Sequence, residues 1–262
     1  ITKIHKFYLK TDWSKYIFKN DTIVFFSSPS HTNIKKNKII NFISNFSYFV
    51  KSISKLNINK FIFLSSQKVL GESSSQNKLY CYSKPNPETN YSKYKLECEK
   101  IIITNNKKNN LNYIILRPPV VIGYGMKGNI NIISQFIKLR IPLPLKFFTS
   151  KRNYISVDNL NLIINKCIKS DSLKNNIYTL NDYHEYSLSD IILKISISLK
   201  VPVINFNNIF YYYLIFWISK FLNINDKIFN NFYVDCSEDL KKIDVSIKND
   251  LQQTLIDSFK KK

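Results

Sequence analysis

Three short stretches of this chain carry apolar, strand-forming residues without interruption, and they limit the fold more than any other feature. They fall within residues 21–26, 61–64 and 113–116. A strand with one wet face alternates polar and apolar residues. One buried on both faces reads as a continuous apolar run, as in a parallel sheet. Between the first two runs, Ile39, Ile40, Ile43, Phe46, Phe49, Val50 and Ile53 recur at steps of three and four, the pattern of an amphipathic helix. Residues 91–104 read as a second helix before the third run. That run ends at Arg117-Pro118-Pro119, because proline cannot continue a central ladder. Strand, helix, strand, helix, strand predicts an α/β fold on a parallel sheet flanked by helices. In such sheets ligands bind beyond the carboxyl ends of the strands.

At the front, residues 4–9 form a short run, and Thr11 or Asp12 is placed to cap a short helix. Beyond residue 128 the sequence predicts a helix over 130–139, an extended linker over 141–145, and a stretch over 152–158 that leads into a helix over 159–169. A strand over 177–180 and a helix over 187–199, capped by Ser187 or Ser189, follow. The run over 209–218 is almost wholly aromatic and aliphatic but shorter than the roughly 20 residues that cross a bilayer. A buried helix is the expected role, with an interfacial or partner-binding helix as the alternative. Residues 235–262 are polar with a basic tail and are expected to form a solvated helical end.

The 262 residues are 44% hydrophobic and 22% charged, a globular composition able to bury a sizeable core. The net charge of +21 raises nucleic-acid or anionic-membrane binding. The lysines, however, are scattered among Asn and Ile along the whole chain, so nucleic acid is not an expected partner. Cys81, Cys98, Cys167 and Cys236 show no Cys-x-x-Cys spacing and read as reduced thiols of a cytoplasmic protein. His5, His31 and His184 stand in no metal-ligand register, so no metal is expected. The chain begins with Ile1, and Met126 is its single methionine, which reads as a fragment of a longer product. The four glycines are Gly71, Gly123, Gly125 and Gly128, so no glycine-rich phosphate loop can form before residue 71.

Tyr91 and Lys95 are four apart on a predicted helix and project from one face. A free phenol has a pKa of about 10. A fixed ammonium beside it favours the phenolate and makes a usable acid/base. Ser66 follows the second strand-like run, at the ligand-binding end of such a sheet. In a chain with 17 tyrosines this pair alone is a weak signal. It gains weight from an ordered series: Phe63-Leu64-Ser65-Ser66 through Gly71, Tyr91-Ser92-Lys93-Tyr94-Lys95, Leu116-Arg117-Pro118-Pro119 through Gly125, then Arg152-Asn153-Tyr154-Ile155 and Val234-Asp235-Cys236-Ser237.

With that series the chain resembles an extended short-chain dehydrogenase/reductase of the nucleotide-sugar epimerase/dehydratase kind. The likeness runs from about Asp12 to the carboxyl end. It implies a Rossmann-like NAD(P)-binding domain over residues 1–124 and a smaller α+β substrate domain over 125–262, some segments returning to the first. It implies Tyr91 as acid/base, Lys95 as holder of the nicotinamide ribose, and Ser66 as the group orienting the sugar 4-oxygen. Ser27, Ser28, Pro118 and Pro119 would line the cofactor, NAD with NADP possible, and Asn129 and Arg152 would hold the diphosphate of a UDP-sugar. The implied activity is 4-epimerisation for surface polysaccharide synthesis, in a homodimer when full length. The first strand, glycine-rich loop and second strand of that family are expected to precede residue 1, so the chain alone is expected to bind NAD poorly. A 4-ketosugar reductase would use the same three residues. A dehydratase fits less well, since Gln67-Lys68 stand where those enzymes carry Asp-Glu. Of other classes, a non-catalytic nucleic-acid-binding member of the fold and an inactive partial gene product remain open.

Overall fold

The computed structural model describes residues 15–26, 36–74, 79–126, 129–221, 229–248 and 251–260. The capping positions Thr11 and Asp12 lie outside them. In chain order the elements are β1 (Thr22–Phe25), α1 (Lys36–Ile53), β2 (Lys60–Leu64), β3 (Leu79–Tyr80), α2 (Asn90–Asn109), β4 (Tyr113–Arg117), β5 (Val120–Ile122) and α3 (Asn129–Lys138). There follow β6 (Lys151–Ser156), α4 (Val157–Lys169), β7 (Asn176–Thr179), β8 (Glu185–Ser187), α5 (Leu188–Leu199), α6 (Ile209–Phe221) and β9 (Val234–Asp235), then two helices, Ser237–Ile243 and Leu251–Lys260. The chain forms two compact units.

The first unit takes residues up to 71, 83–117 and 164–179. Its sheet has the order β1-β2-β4-β7, and every neighbouring pair is parallel. The continuous apolar runs behave as expected: Phe61, Ile62, Phe63, Ile114, Ile115 and Leu116 are all fully buried, so both faces of β2 and β4 are covered. On one face α1 and α2 pack with Phe25, Phe61 and Phe63 into an aromatic core. Phe46 meets Phe25 at 5.2 Å and Phe63 at 5.3 Å between ring centroids. Burying each such ring contributes about 1.5–3 kcal/mol. Lys60, at the start of β2, is buried. Its ammonium donates to the carbonyls of Cys167 and Ser170 at 2.8 and 2.6 Å, filling acceptors that the end of a helix leaves open.

The second unit comprises residues 72–82, 118–163 and those from 180 onward. It holds a three-stranded sheet, β5-β6-β8, and the two-residue pair β3-β9. Its core gathers α3, α5 and the helix Leu251–Lys260 around Ile122, Ile130, Ile191, Ile195 and Leu255. A buried polar knot braces it. Asp182 accepts from the Ser156 backbone N–H and the Asn159 side chain at 2.9 and 2.8 Å, and Asn159 in turn exchanges hydrogen bonds with the backbone of Lys248. Burial pushes the Asp182 carboxyl up to about 6, against those two donors. Gly123 is glycine for a steric reason, because a Cβ there would stand 2.9 Å from Val157 side-chain carbons.

Three expectations change. Ser156 accepts from the Asn159 backbone N–H at 3.1 Å and starts the helix at Val157, two residues early. The carboxyl-terminal segment is not a solvated end, because Leu240, Ile243, Leu251 and Leu255 recur at helical spacing and are buried. Helix α6 is half-buried along one side only, with Ser219 its single buried residue. Apolar on all sides, it offers no periodicity from which to read which side faces inward.

Candidate active site

Ser66 stands two residues beyond β2, at the carboxyl end of the parallel sheet, and its Oγ accepts the Lys68 backbone N–H at 3.3 Å. This hydrogen bond caps a 3-10 turn, Gln67–Leu70, closed by Gly71 at φ 145°, a conformation open chiefly to glycine. Ser66 is 9% exposed. Helix α2 packs against that turn.

The start of α2 is fixed by a capping box. Thr89 Oγ1 accepts from the Ser92 backbone N–H at 3.2 Å, and Ser92 Oγ accepts from the Thr89 backbone N–H at 3.0 Å. This places the half-buried Tyr91 in the first turn, at the positive end of the helix dipole. Lys95 follows one turn later and is 2% exposed. Its Nζ donates to the Leu64 carbonyl at 2.6 Å. It lies 4.8 Å from the Phe63 ring centroid and 6.0 Å from that of Tyr91. The lysine thus reaches from the tyrosine's helix to the end of β2, two residues short of Ser66. Burial pushes its ammonium down to about 8, opposed by Cys98 and Glu99.

One further turn along the same face, Glu99 is 1% exposed. Its Oε1 accepts from Ser65 Oγ at 2.5 Å and from Arg117 Nε at 3.0 Å, and its Oε2 accepts from Arg117 Nη2 at 2.6 Å. This fork-to-fork pairing constrains both partners in angle as well as distance. Tyr91, Lys95 and Glu99 form one stripe, whose two lower members are tied to Leu64, Ser65 and Arg117 at the ends of β2 and β4. The residue spacing could have drawn attention to Glu99, four after Lys95. Its partnership with Arg117 is a tertiary pairing that spacing does not disclose.

Chemically, a phenol, an ammonium and a serine hydroxyl at the ligand-binding end of a parallel sheet suit proton exchange with a substrate hydroxyl. The Lys95 and Tyr91 polar groups also suit the vicinal hydroxyls of a ribose, so this donor set fits the nicotinamide end of a dinucleotide. For its pyrophosphate, the chain has no glycine before Gly71 to build a glycine-rich cradle.

The remaining sequence-predicted residues are placed as follows. Pro118 is buried and Pro119 half-buried, directly after β4. Ser27 and Ser28 lie outside the described residues. Asn129 is the first residue of α3. Arg152, in β6, donates from Nη2 to the Asn230 carbonyl at 2.9 Å. Among the described residues no group of His, Cys, Asp or Glu is arranged to hold a metal, and the four cysteines form no disulfide.

Comparison with known proteins identifies a family. Residues 18–178 match the NAD dependent epimerase/dehydratase family. UDP-glucose 4-epimerase of Vibrio cholerae is 31% identical over 150 residues, 55% of this chain and 45% of that protein. The matches span less than half the length of the curated relatives. Among solved structures, UDP-glucuronic acid 4-epimerase from Bacillus cereus, in complex with NAD, superposes with a TM-score of 0.74 at 17% identity. The match covers 95% of this chain and 75% of that one. UDP-N-acetylglucosamine 4-epimerase from Methanobrevibacter ruminantium, in complex with UDP-N-acetylmuramic acid, gives 0.74 at 18% identity, covering 96% and 79%. At these identities the structural likeness speaks for the fold.

Proposed function

The chain belongs to the NAD dependent epimerase/dehydratase family, and from that premise we propose that the protein is an NAD-dependent 4-epimerase of a UDP-hexose or UDP-N-acetylhexosamine. The observation that carries this is the anchoring of Lys95 to the Leu64 carbonyl, which joins the Tyr91 helix face to the strand end bearing Ser66.

In this reading NAD, when bound, supplies a reversible hydride acceptor for C4 of the sugar. The chain's own residues handle the proton and the positioning. Tyr91 takes the proton of the 4-hydroxyl and returns it after the sugar has presented its other face. Lys95 holds the ribose and stabilises negative charge on the Tyr91 oxygen. Ser66 donates to the sugar 4-oxygen and fixes its orientation. Pro118 and Pro119 flank the nicotinamide without offering a backbone N–H. Asn129 and Arg152 bind the diphosphate, for which a guanidinium is apt. An activated hexose of this kind feeds glycosyl transfer, so the protein serves polysaccharide synthesis. Its four cysteines, which form no disulfide, fit the cytoplasm.

The test is incubation of the full-length protein and NAD with UDP-N-acetylglucosamine, UDP-glucose and UDP-galactose, separating epimers by anion-exchange chromatography. Conversion of at least one, with Tyr91→Phe slower by about 10²–10⁴-fold, is expected. No conversion of any overturns the proposal.

A further inference from the structure

Helix α6 has two apolar sides, and its fold uses one. Of its thirteen residues, all but Ser219 and Lys220 are aliphatic or aromatic. On the inner side Tyr212 meets Phe147 at 5.0 Å with the rings tilted, and Phe229 at 5.6 Å. Phe216 meets Phe229 at 5.2 Å, and the Tyr211 hydroxyl donates to the Pro142 carbonyl at 2.9 Å. On the outer side Phe210 is 81% exposed, Leu214 54%, Trp217 63% and Phe221 86%. These four lie at steps of four, three and four, one stripe of the helix. Phe206, in the loop before α6, is also exposed and extends the apolar surface beside Tyr211. Large contiguous apolar surface of this kind marks an interaction site.

Charge says what kind of surface it meets. Residues 191–221, which include α6, and 129–150, which hold its contacts Pro142 and Phe147, contain Lys138, Arg140, Lys146, Lys194, Lys200 and Lys220 and no Asp or Glu, while residues 222–229, which end at its contact Phe229, add one charge of each sign, Asp226 and Lys227. An isologous contact with a second copy would set these unbalanced cations against their own images, in a chain of net charge +21. An anionic lipid surface complements them instead. The aromatic makeup fits the same occupant, because tryptophan, tyrosine and phenylalanine favour the headgroup boundary, where a ring is half wet. Thirteen residues at about 1.5 Å each give a helix of roughly 20 Å, too short to cross a hydrocarbon core of about 30 Å. Among the described residues no helix is long and apolar enough to cross a membrane. The helix therefore lies along a membrane surface if it enters one.

We propose that the outer face of α6, with its basic surroundings, seats this protein on an anionic membrane surface, the helix axis parallel to the bilayer plane. The inference does not rest on the epimerase reading.

The test is co-sedimentation of the purified protein with phosphatidylcholine vesicles, pure or containing about a third phosphatidylglycerol. Binding to the anionic vesicles is expected to be at least about tenfold tighter. Phe210→Ser/Trp217→Ser should weaken it by about tenfold or more while circular dichroism and thermal unfolding stay unchanged. In a Trp13→Phe background Trp217 is the sole tryptophan, and its emission should move to the blue on adding anionic vesicles. Failure to bind vesicles of either composition overturns the proposal. So does equal binding by the double variant, which would reduce the effect to net charge. A dimer of the parent that the variant dissolves, without lipid binding, would assign the face to a second copy and overturn it too.

Discussion

Replacing Lys95 by methionine should change how stability depends on pH, and the size of the change follows from the site. The Lys95 ammonium is buried against Phe63, Tyr91 and Tyr94, with the Leu64 carbonyl as acceptor and Cys98 and Glu99 as nearby titratable groups. Burial lowers its pKa from 10.5 to about 8. Below pH 8 both folded and unfolded chains hold the proton, and the folded state carries the full cost of the buried cation. Between about 8 and 10.5 the unfolded chain still holds the proton while the folded one has released it. Stability therefore rises with pH across this window. At about 1.4 kcal/mol per unit, the gain is on the order of 3 kcal/mol. Lys95→Met removes that contribution and also leaves the Leu64 carbonyl without its donor, at about 1–3 kcal/mol. Near pH 7.5 the two effects oppose, and the variant should unfold at a urea midpoint close to the parent's. By pH 10.5 the parent should be ahead by roughly 3 kcal/mol more than at pH 7.5. The Cys98 thiol, pushed up to about 12 by burial, titrates above the window. Urea unfolding of both proteins at pH 7.5, 9 and 10.5 reads the difference. Stability curves that stay parallel within about 1 kcal/mol would refute the assignment of a depressed, buried ammonium.

Arg117→Met should strand the Glu99 carboxylate and cost about 3–5 kcal/mol, whereas Glu99→Gln/Arg117→Met should recover part of it. A single-variant cost below about 1 kcal/mol by urea unfolding would show that the pair is solvated. Gly123→Ala should cost about 1–3 kcal/mol through its clash with the Val157 Cβ and Cγ1, and Val157→Ala, which removes Cγ1 but keeps Cβ, should recover only part of that loss. A neutral Gly123→Ala would mean that the close approach is not tight.

The central sheet was legible because its evidence is local. Residues 61–64 and 113–116 are apolar without alternation, and only a strand covered on both faces keeps Ile62 and Phe63 equally dry. Tyr91 and Lys95 were legible as a pair because helix geometry fixes which positions share a face. What the sequence did not disclose depends on partners distant along the chain. Glu99 reads as one more charged helix residue until Arg117 on β4 meets it. The two-residue strands Leu79–Tyr80 and Val234–Asp235 are too short to carry any alternation. In 235–262 polar composition masked a real helical stripe, Leu240 with Ile243 and Leu251 with Leu255, which counting positions would have found. Helix α6 failed for the opposite reason: apolar on every side, it could not say that Phe210 and Trp217 face outward.

The proposed activity is reversible chemistry at C4 of a UDP-sugar, with Tyr91 handling the proton. The most direct measurement is incubation of the full-length protein and NAD with its UDP-sugar deuterated at C4, followed by proton NMR of both epimers. The label is expected to stay at C4 in substrate and product alike, with their exchange slowed by about 10²–10⁴-fold in Tyr91→Phe. Loss of the label to solvent, or epimerisation undiminished in Tyr91→Phe, would contradict it.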